Sequence, residues 1–167
     1  MAQYYVPPVV GNADPTNVSS EVLLYGADGR LKVWHPNRTY YSGGWEGLPG
    51  YLHGKPVLVD VNGDGALDIV VAIYNTSNPS AKKYELHAFN QNGSEITDVF
   101  SNVNNNINIA NLTLYSSPVF GKINVDGLGE RELVLALAIA GEDAIIKFWK
   151  LDGNNNMVDI QDLSGYK

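Results

Sequence analysis

"PVLVDVNGDGALDIVVAIY", residues 56–74, joins a Pro-Val start, a turn built of acids, amides and glycines, and an unbroken aliphatic run. Two further segments repeat that plan: "PVVGNADPTNVSSEVLLYG" from Pro8 and "PVFGKINVDGLGERELVLALA" from Pro118. Each is followed by a second matching piece, "LKVWHPN" at Leu31, "ELHAFNQNG" at Glu85 and "IKFWKLDG" at Ile146, in which Trp34, Phe89 and Trp149 hold the same place. That recurrence assigns the three aromatics to the core of each unit. Self-similarity at such a period is the signature of a repeat architecture. The chain therefore reads as one domain over 1–167, built of repeats at about 8–55, 56–117 and 118–167.

Within a unit the runs are short, β-branched or aromatic, and punctuated by Gly, Asn, Asp and Pro, with no sustained 3.6 period. The fold class is all-β. In the second unit strands are predicted over Pro56–Val61, Leu67–Tyr74 and Tyr84–Asn90, with a weaker one near Glu95–Phe100 and a hairpin turn at "QNG" from Gln91. Four antiparallel strands per repeat make the blade of a β-propeller. The run "LVLALAIA" from Leu133 has helix-favouring composition, yet it aligns with "DIVVAIY" and "VLLYG". A strand buried on both faces between neighbouring blades is apolar throughout, so it too is expected to be a strand.

The polar turn of the second unit spells DxNxDGxxD. Asp60, Asn62, Asp64 and Asp68 offer side-chain oxygens, Ala66 adds its carbonyl, and Gly65 permits a sharp bend. Six to eight oxygen ligands suit Ca²⁺ better than Mg²⁺, which demands tight octahedral geometry. An EF-hand begins the same way but needs a bidentate Glu at position twelve and flanking helices; Val71 stands at that position and a strand follows. The rival is a metal-free turn with an Asp-Gly corner. Asp68 speaks against it, because a third acid serves no turn.

"GLPGYLHGKPVLVDVNGDGALDIVVA" and "SSPVFGKINVDGLGERELVLALA" resemble FG-GAP or VCBS-type repeats, the propeller blades of integrin α-subunit heads and many secreted microbial proteins. Phe120-Gly121 stands where that family has its FG pair, and Asp60, Asn62, Asp64 and Asp68 match its calcium loop. The resemblance is strong in the second unit, moderate in the third and weak in the first. In the third unit Lys122 replaces Asp60, Asn124, Asp126 and Gly127 remain, and Glu132 is displaced, so no calcium is expected there. The first unit offers Asn12, Asp14 and Glu21 around Pro15, too irregular for a site. One complete loop among three argues for local stapling by Ca²⁺ rather than sensing.

The whole chain sets the surroundings. With 11 basic and 18 acidic residues, a formal charge of −7 and no Lys/Arg cluster, nucleic acid is not an expected partner. No apolar run is long enough to span a membrane, and "MAQYYVPPVV" carries no secretory leader. The absence of cysteine removes disulfides and thiolate chemistry. N-x-S/T acceptors at Asn17, Asn37, Asn75, Asn92 and Asn111 favour a glycosylated, extracellular or cell-surface protein; alternatively, Asn simply fills turns.

Three blades do not close a ring. Because "LSGYK" and "QYYVPP" read as repeat boundaries, two outcomes are expected. Two copies meet head to tail to give six blades, or further blades lie on another propeller-containing chain. The expected role is a calcium-stapled structural or protein-binding platform for adhesion. A carbohydrate-binding lectin is the alternative, using Trp45, Tyr40, Tyr41 and Tyr51. A fragment of a polysaccharide-degrading enzyme is another, although Glu46, Asp98 and Asp143 show no pairing and His35, His53 and His87 stand isolated.

Overall fold

The computed structural model describes residues 7–12, 21–25, 30–37, 39–41, 43–77, 83–104, 113–114, 116–123, 132–140, 144–152 and 156–160. Their aliphatic runs pair into three antiparallel sheets. The first sheet holds, in order, β1 (Val9–Gly11), β2 (Glu21–Tyr25), β3 (Leu31–Trp34) and β4 (Tyr40–Tyr41). In the second, β5 (Gly50–Leu52) and β6 (Val57–Val59) lie along one edge of β7 (Asp68–Asn75), and β8 (Lys83–Phe89) along the other. The third has the same plan. Here β9 (Thr113–Leu114) and β10 (Val119–Ile123) flank β11 (Glu132–Ala140), followed by β12 (Ala144–Leu151) and β13 (Met157–Asp159). The run from Leu133 is thus a strand.

Register makes the three sheets equivalent residue by residue. Val10 lies opposite Val22, which lies opposite Trp34. The corresponding rungs are Leu58, Ile69, Phe89 and Phe120, Leu135, Trp149. Each begins two residues after a Pro and ends on the aromatic that the sequence aligns. Because side chains alternate across a strand, the next rung points to the other face of its sheet.

That alternation explains how the sheets stack. Leu58, Ile69 and Phe89 meet Leu23, Leu31 and Val33 of the first sheet in one core cluster. Val70, Ala72 and Ala88, on the opposite face of the second sheet, meet Leu135, Trp149 and Met157 of the third in another. So the back of one sheet packs on the aromatic-rung face of the next. The middle sheet is covered on both sides, which is why Asp68 through Ile73 are all buried. Close backbone approach at one edge reinforces the stack. A Cβ at Gly11 in β1 would come within 2.3 Å of Leu58 Cδ1, and one at Gly54 within 2.6 Å of Ser117 Oγ.

Two features depart from the sequence reading. Residues 48–55, which the repeat bound at 55 places in the first unit, contribute β5 to the second sheet instead, because Gly50–Leu52 pairs with β7; β9 does the same in the third. The weak strand near Glu95–Phe100 reduces to a bridge between Phe89 and Glu95. Asp98 takes a left-handed φ of 72° and turns the chain into a helical turn over 101–104, burying Val99, Phe100 and Val103. In place of the missing strand, Asn104 accepts the Leu86 N–H at 2.8 Å through Oδ1 and donates Nδ2 to the Leu86 carbonyl at 3.0 Å. One side chain thereby satisfies both groups of an edge residue.

Candidate functional site

The loop between β6 and β7 is closed by its own side chains. Asp60 accepts the Gly63 N–H at 2.6 Å and the Gly65 N–H at 3.0 Å, one on each carboxylate oxygen. Gly63 and Gly65 sit at φ +78° and +87°, left-handed values at which glycine carries no Cβ penalty. Asn62 Oδ1 accepts the Asp64 N–H at 2.9 Å, and Asp64 Oδ1 accepts the Ala66 N–H at 2.8 Å. Asn62 Nδ2 donates to Asp64 Oδ2 at 3.0 Å.

Asp68 stands apart. It opens β7 with no exposed surface and accepts the Val61 N–H at 2.9 Å through Oδ2. Its Oδ1 is buried with no hydrogen-bond partner among the described residues. Burial, reinforced by the charges of Asp64 and Asp60 and opposed by the backbone amides of Val61 and Asn62, pushes its pKa up to about 6. A buried, half-satisfied carboxylate repelled by two neighbours is a group that a cation stabilises. The donor set of Asp60, Asn62, Asp64, Asp68 and the Ala66 carbonyl is all hard oxygen, which fits Ca²⁺. Asp60 and Asp64 face solvent more than Asp68 does. Among the described residues no three His, Cys, Asp or Glu side chains are already drawn together as a metal-holding group.

Register also sorts the related loops. Opposite Val59 lies Asp68, opposite Gly11 lies Glu21, and opposite Gly121 lies Val134. Glu21 therefore occupies the Asp68 position of the first sheet; it too is buried, with His35 Nδ1 3.4 Å from its Oε1. In the third sheet that position is Val134, and Lys122, where Asp60 would be, is exposed. Asp14, Asn124, Asp126 and Gly127 lie outside the described residues, as does the side chain of Glu132.

No family model, curated protein or solved structure matches the chain. Function must therefore be argued from the residues.

The remaining described candidates lie on the first and second sheets and the segments between and after them. His87 is flanked by two acids: Glu95 Oε1 lies 2.6 Å from Nδ1 across the turn, and Glu85 Oε2, two residues back on the same strand, lies 3.5 Å from Nε2. With Asp98, Ser101 and Asn104 it lines a shallow cleft of about 250 Å³. His53 is half-buried, its ring edge-on to Tyr84 at 5.0 Å. Burial holds its pKa below the usual value, partly offset by a hydrogen bond to the Leu114 backbone.

Trp45 is 1% exposed and packs edge-on against Phe89, so its face is closed to a ligand, whereas Tyr40 and Tyr51 are exposed. The Tyr41 side chain and Asp143 lie outside the described residues. Glu46 accepts a hydrogen bond from the Tyr40 hydroxyl. Of the glycan acceptors, Asn37 and Asn92 are exposed, and Asn75 is half-buried with Nδ2 donating to both Glu85 oxygens at 3.1 Å. Asn17 and Asn111 lie outside the described residues.

Proposed function

We propose that the chain is a calcium-stapled β-propeller segment, its three sheets acting as blades of an extracellular or cell-surface platform for protein binding or adhesion. The observation that carries the calcium reading is Asp68, a carboxylate with no exposed surface and one oxygen with no hydrogen-bond partner among the described residues, at the base of a loop of oxygen donors. Ca²⁺ supplies the missing ligand field: it draws Asp60 and Asp64 toward Asp68 and cancels their mutual repulsion. Held this way, the loop pins the end of β6 to the start of β7.

The blade reading rests on the three matching rungs and on the front-to-back stacking. In a β-sandwich two sheets turn their apolar faces to each other and the stack ends there. Here each sheet offers its back to the front of the next, an arrangement that repeats around an axis. The adhesion role rests on the resemblance of the loop and of Phe120-Gly121 to FG-GAP repeats, and location outside the cell on the sequons as well.

Titration calorimetry of the metal-free protein with CaCl₂ tests the site. One ion per chain is expected, and Asp68→Asn, which keeps an acceptor for the Val61 amide and removes the charge, is expected to abolish the heat. A wild-type titration without heat or saturation sinks the calcium reading.

A further inference from the structure

Among the described residues the stack has two open ends, and they are the two halves of an interface the chain already makes twice. On the first sheet, Val10 and Trp34 lie on the rung that faces away from the second sheet, beside Tyr40. In the other two sheets the matching rung packs into a core: Ile69 and Phe89 are buried against the first sheet with Leu58 partly buried beside them, and Leu135 and Trp149 against the second with Phe120 partly buried beside them. At the opposite end, Val119, Ala136 and Phe148 form the back rung of the third sheet, with Ile146 on the same face. Its counterparts are also buried, Leu23 and Val33 against the second sheet and Val70 and Ala88 against the third.

Apolar side chains at these ends are correspondingly bare. Val10 is 63% exposed, Val119 60%, Ile146 64% and Tyr40 40%. Trp34, equivalent by register to the fully buried Phe89 and Trp149, is only half-buried; its ring meets Tyr40 edge-on, 5.5 Å away, with Lys32 Nζ 5.9 Å above the Tyr40 ring. Contiguous exposed apolar residues of this kind mark a contact surface.

We propose that the front of the first sheet docks on the back of the third sheet of a second copy of this chain. The argument is continuity: the surface lacking a neighbour at one end has the residue pattern of those the chain itself packs against the pattern at the other end. Two copies related by a twofold axis satisfy both ends at once, through two identical front-to-back contacts, and leave no sheet face uncovered. Trp34 then becomes what Phe89 and Trp149 are, an aromatic buried between sheets. This deepens the blade reading above and rests on it; it does not depend on calcium.

The test is the native mass by light scattering, measured with calcium and with chelator, for wild type, Val10→Glu and Ile146→Glu. Both substitutions fall on side chains exposed in the single chain, so folding is preserved, and circular dichroism checks this. The wild type is expected to have twice the mass of one chain. Each variant is expected to raise the dissociation constant at least about a hundredfold, because a charge is forced into an apolar contact. A monomeric wild type overturns the proposal, as does a dimer broken by only one of the two variants, which indicates pairing of like faces. A monomer that binds calcium leaves the staple standing and removes the pairing; a dimer that binds no calcium does the reverse.

Discussion

Val61 donates its backbone N–H to Asp68 Oδ2 across 2.9 Å, so the first residue after the loop's leading Asp60 is tied to the acid that opens the next strand. That bond anchors one carboxylate oxygen and leaves the other buried among negative charges.

A pH dependence of definite sign follows for the metal-free protein. The Asp68 carboxyl is raised from 3.8 to about 6, so the folded chain takes up the proton before the unfolded chain does. Stability contributed by this group is full below the unfolded value and is lost as pH rises through the folded one. Metal-free wild type is therefore expected to gain stability, on the order of 1 kcal/mol, between pH 7 and pH 5 relative to Asp68→Asn. With calcium present the slope reverses, since protonation competes with the ion. Urea melts of both proteins across this range provide the check.

The rung aromatics divide by position in the stack. Phe89 and Trp149 have no exposed surface. Truncation of either to Ala is expected to cost about 3–5 kcal/mol. Trp34→Ala, on the open face, is expected to cost less than half as much in monomeric protein, as read from denaturant midpoints at low concentration.

These same residues show what the sequence made legible. The Pro-Val starts, the aliphatic runs and the aligned aromatics located three sheets and their register, because a period-2 pattern fixes which face each residue joins. They did not reveal that no described sheet covers the Trp34 face, nor that Trp45 fills the space beside Phe89. Alignment assigns a place in a repeat, whereas burial depends on what stands next to it. Gly50–Leu52 was credited to the wrong sheet for a related reason: glycines and a proline mark a break in the chain, but backbone pairing with β7 decides membership. Glu85 shares the face of β8 with His87, two residues away, whereas Glu95 is brought beside it only by the turn at Asn90–Ser94, which folds it back alongside β8.

Gly54 provides a test of the sheet-to-sheet seam. It sits at φ +84°, and a Cβ there would lie 2.6 Å from Ser117 Oγ and 3.0 Å from Ser117 Cα, beside the 2.7 Å bond from the Lys55 N–H to that hydroxyl. Gly63 shares the positive φ, at +78°, with open space around it. Gly63→Ala is expected to cost about 1 kcal/mol from backbone strain alone. Gly54→Ala adds a collision and is expected to cost about twice that or more. Thermal unfolding of the two variants side by side measures the difference.

Melting temperature, compared in calcium and in chelator for wild type and Asp68→Asn, addresses the staple most directly. A ligand at a hundred times its dissociation constant adds about 2.7 kcal/mol to the folded state, which for a chain of this size is about 5–10 °C. Wild type is expected to melt higher in calcium by that amount, and Asp68→Asn at one temperature in both. A wild type that melts identically in calcium and in chelator contradicts the assignment of residues 60–68 as a calcium loop.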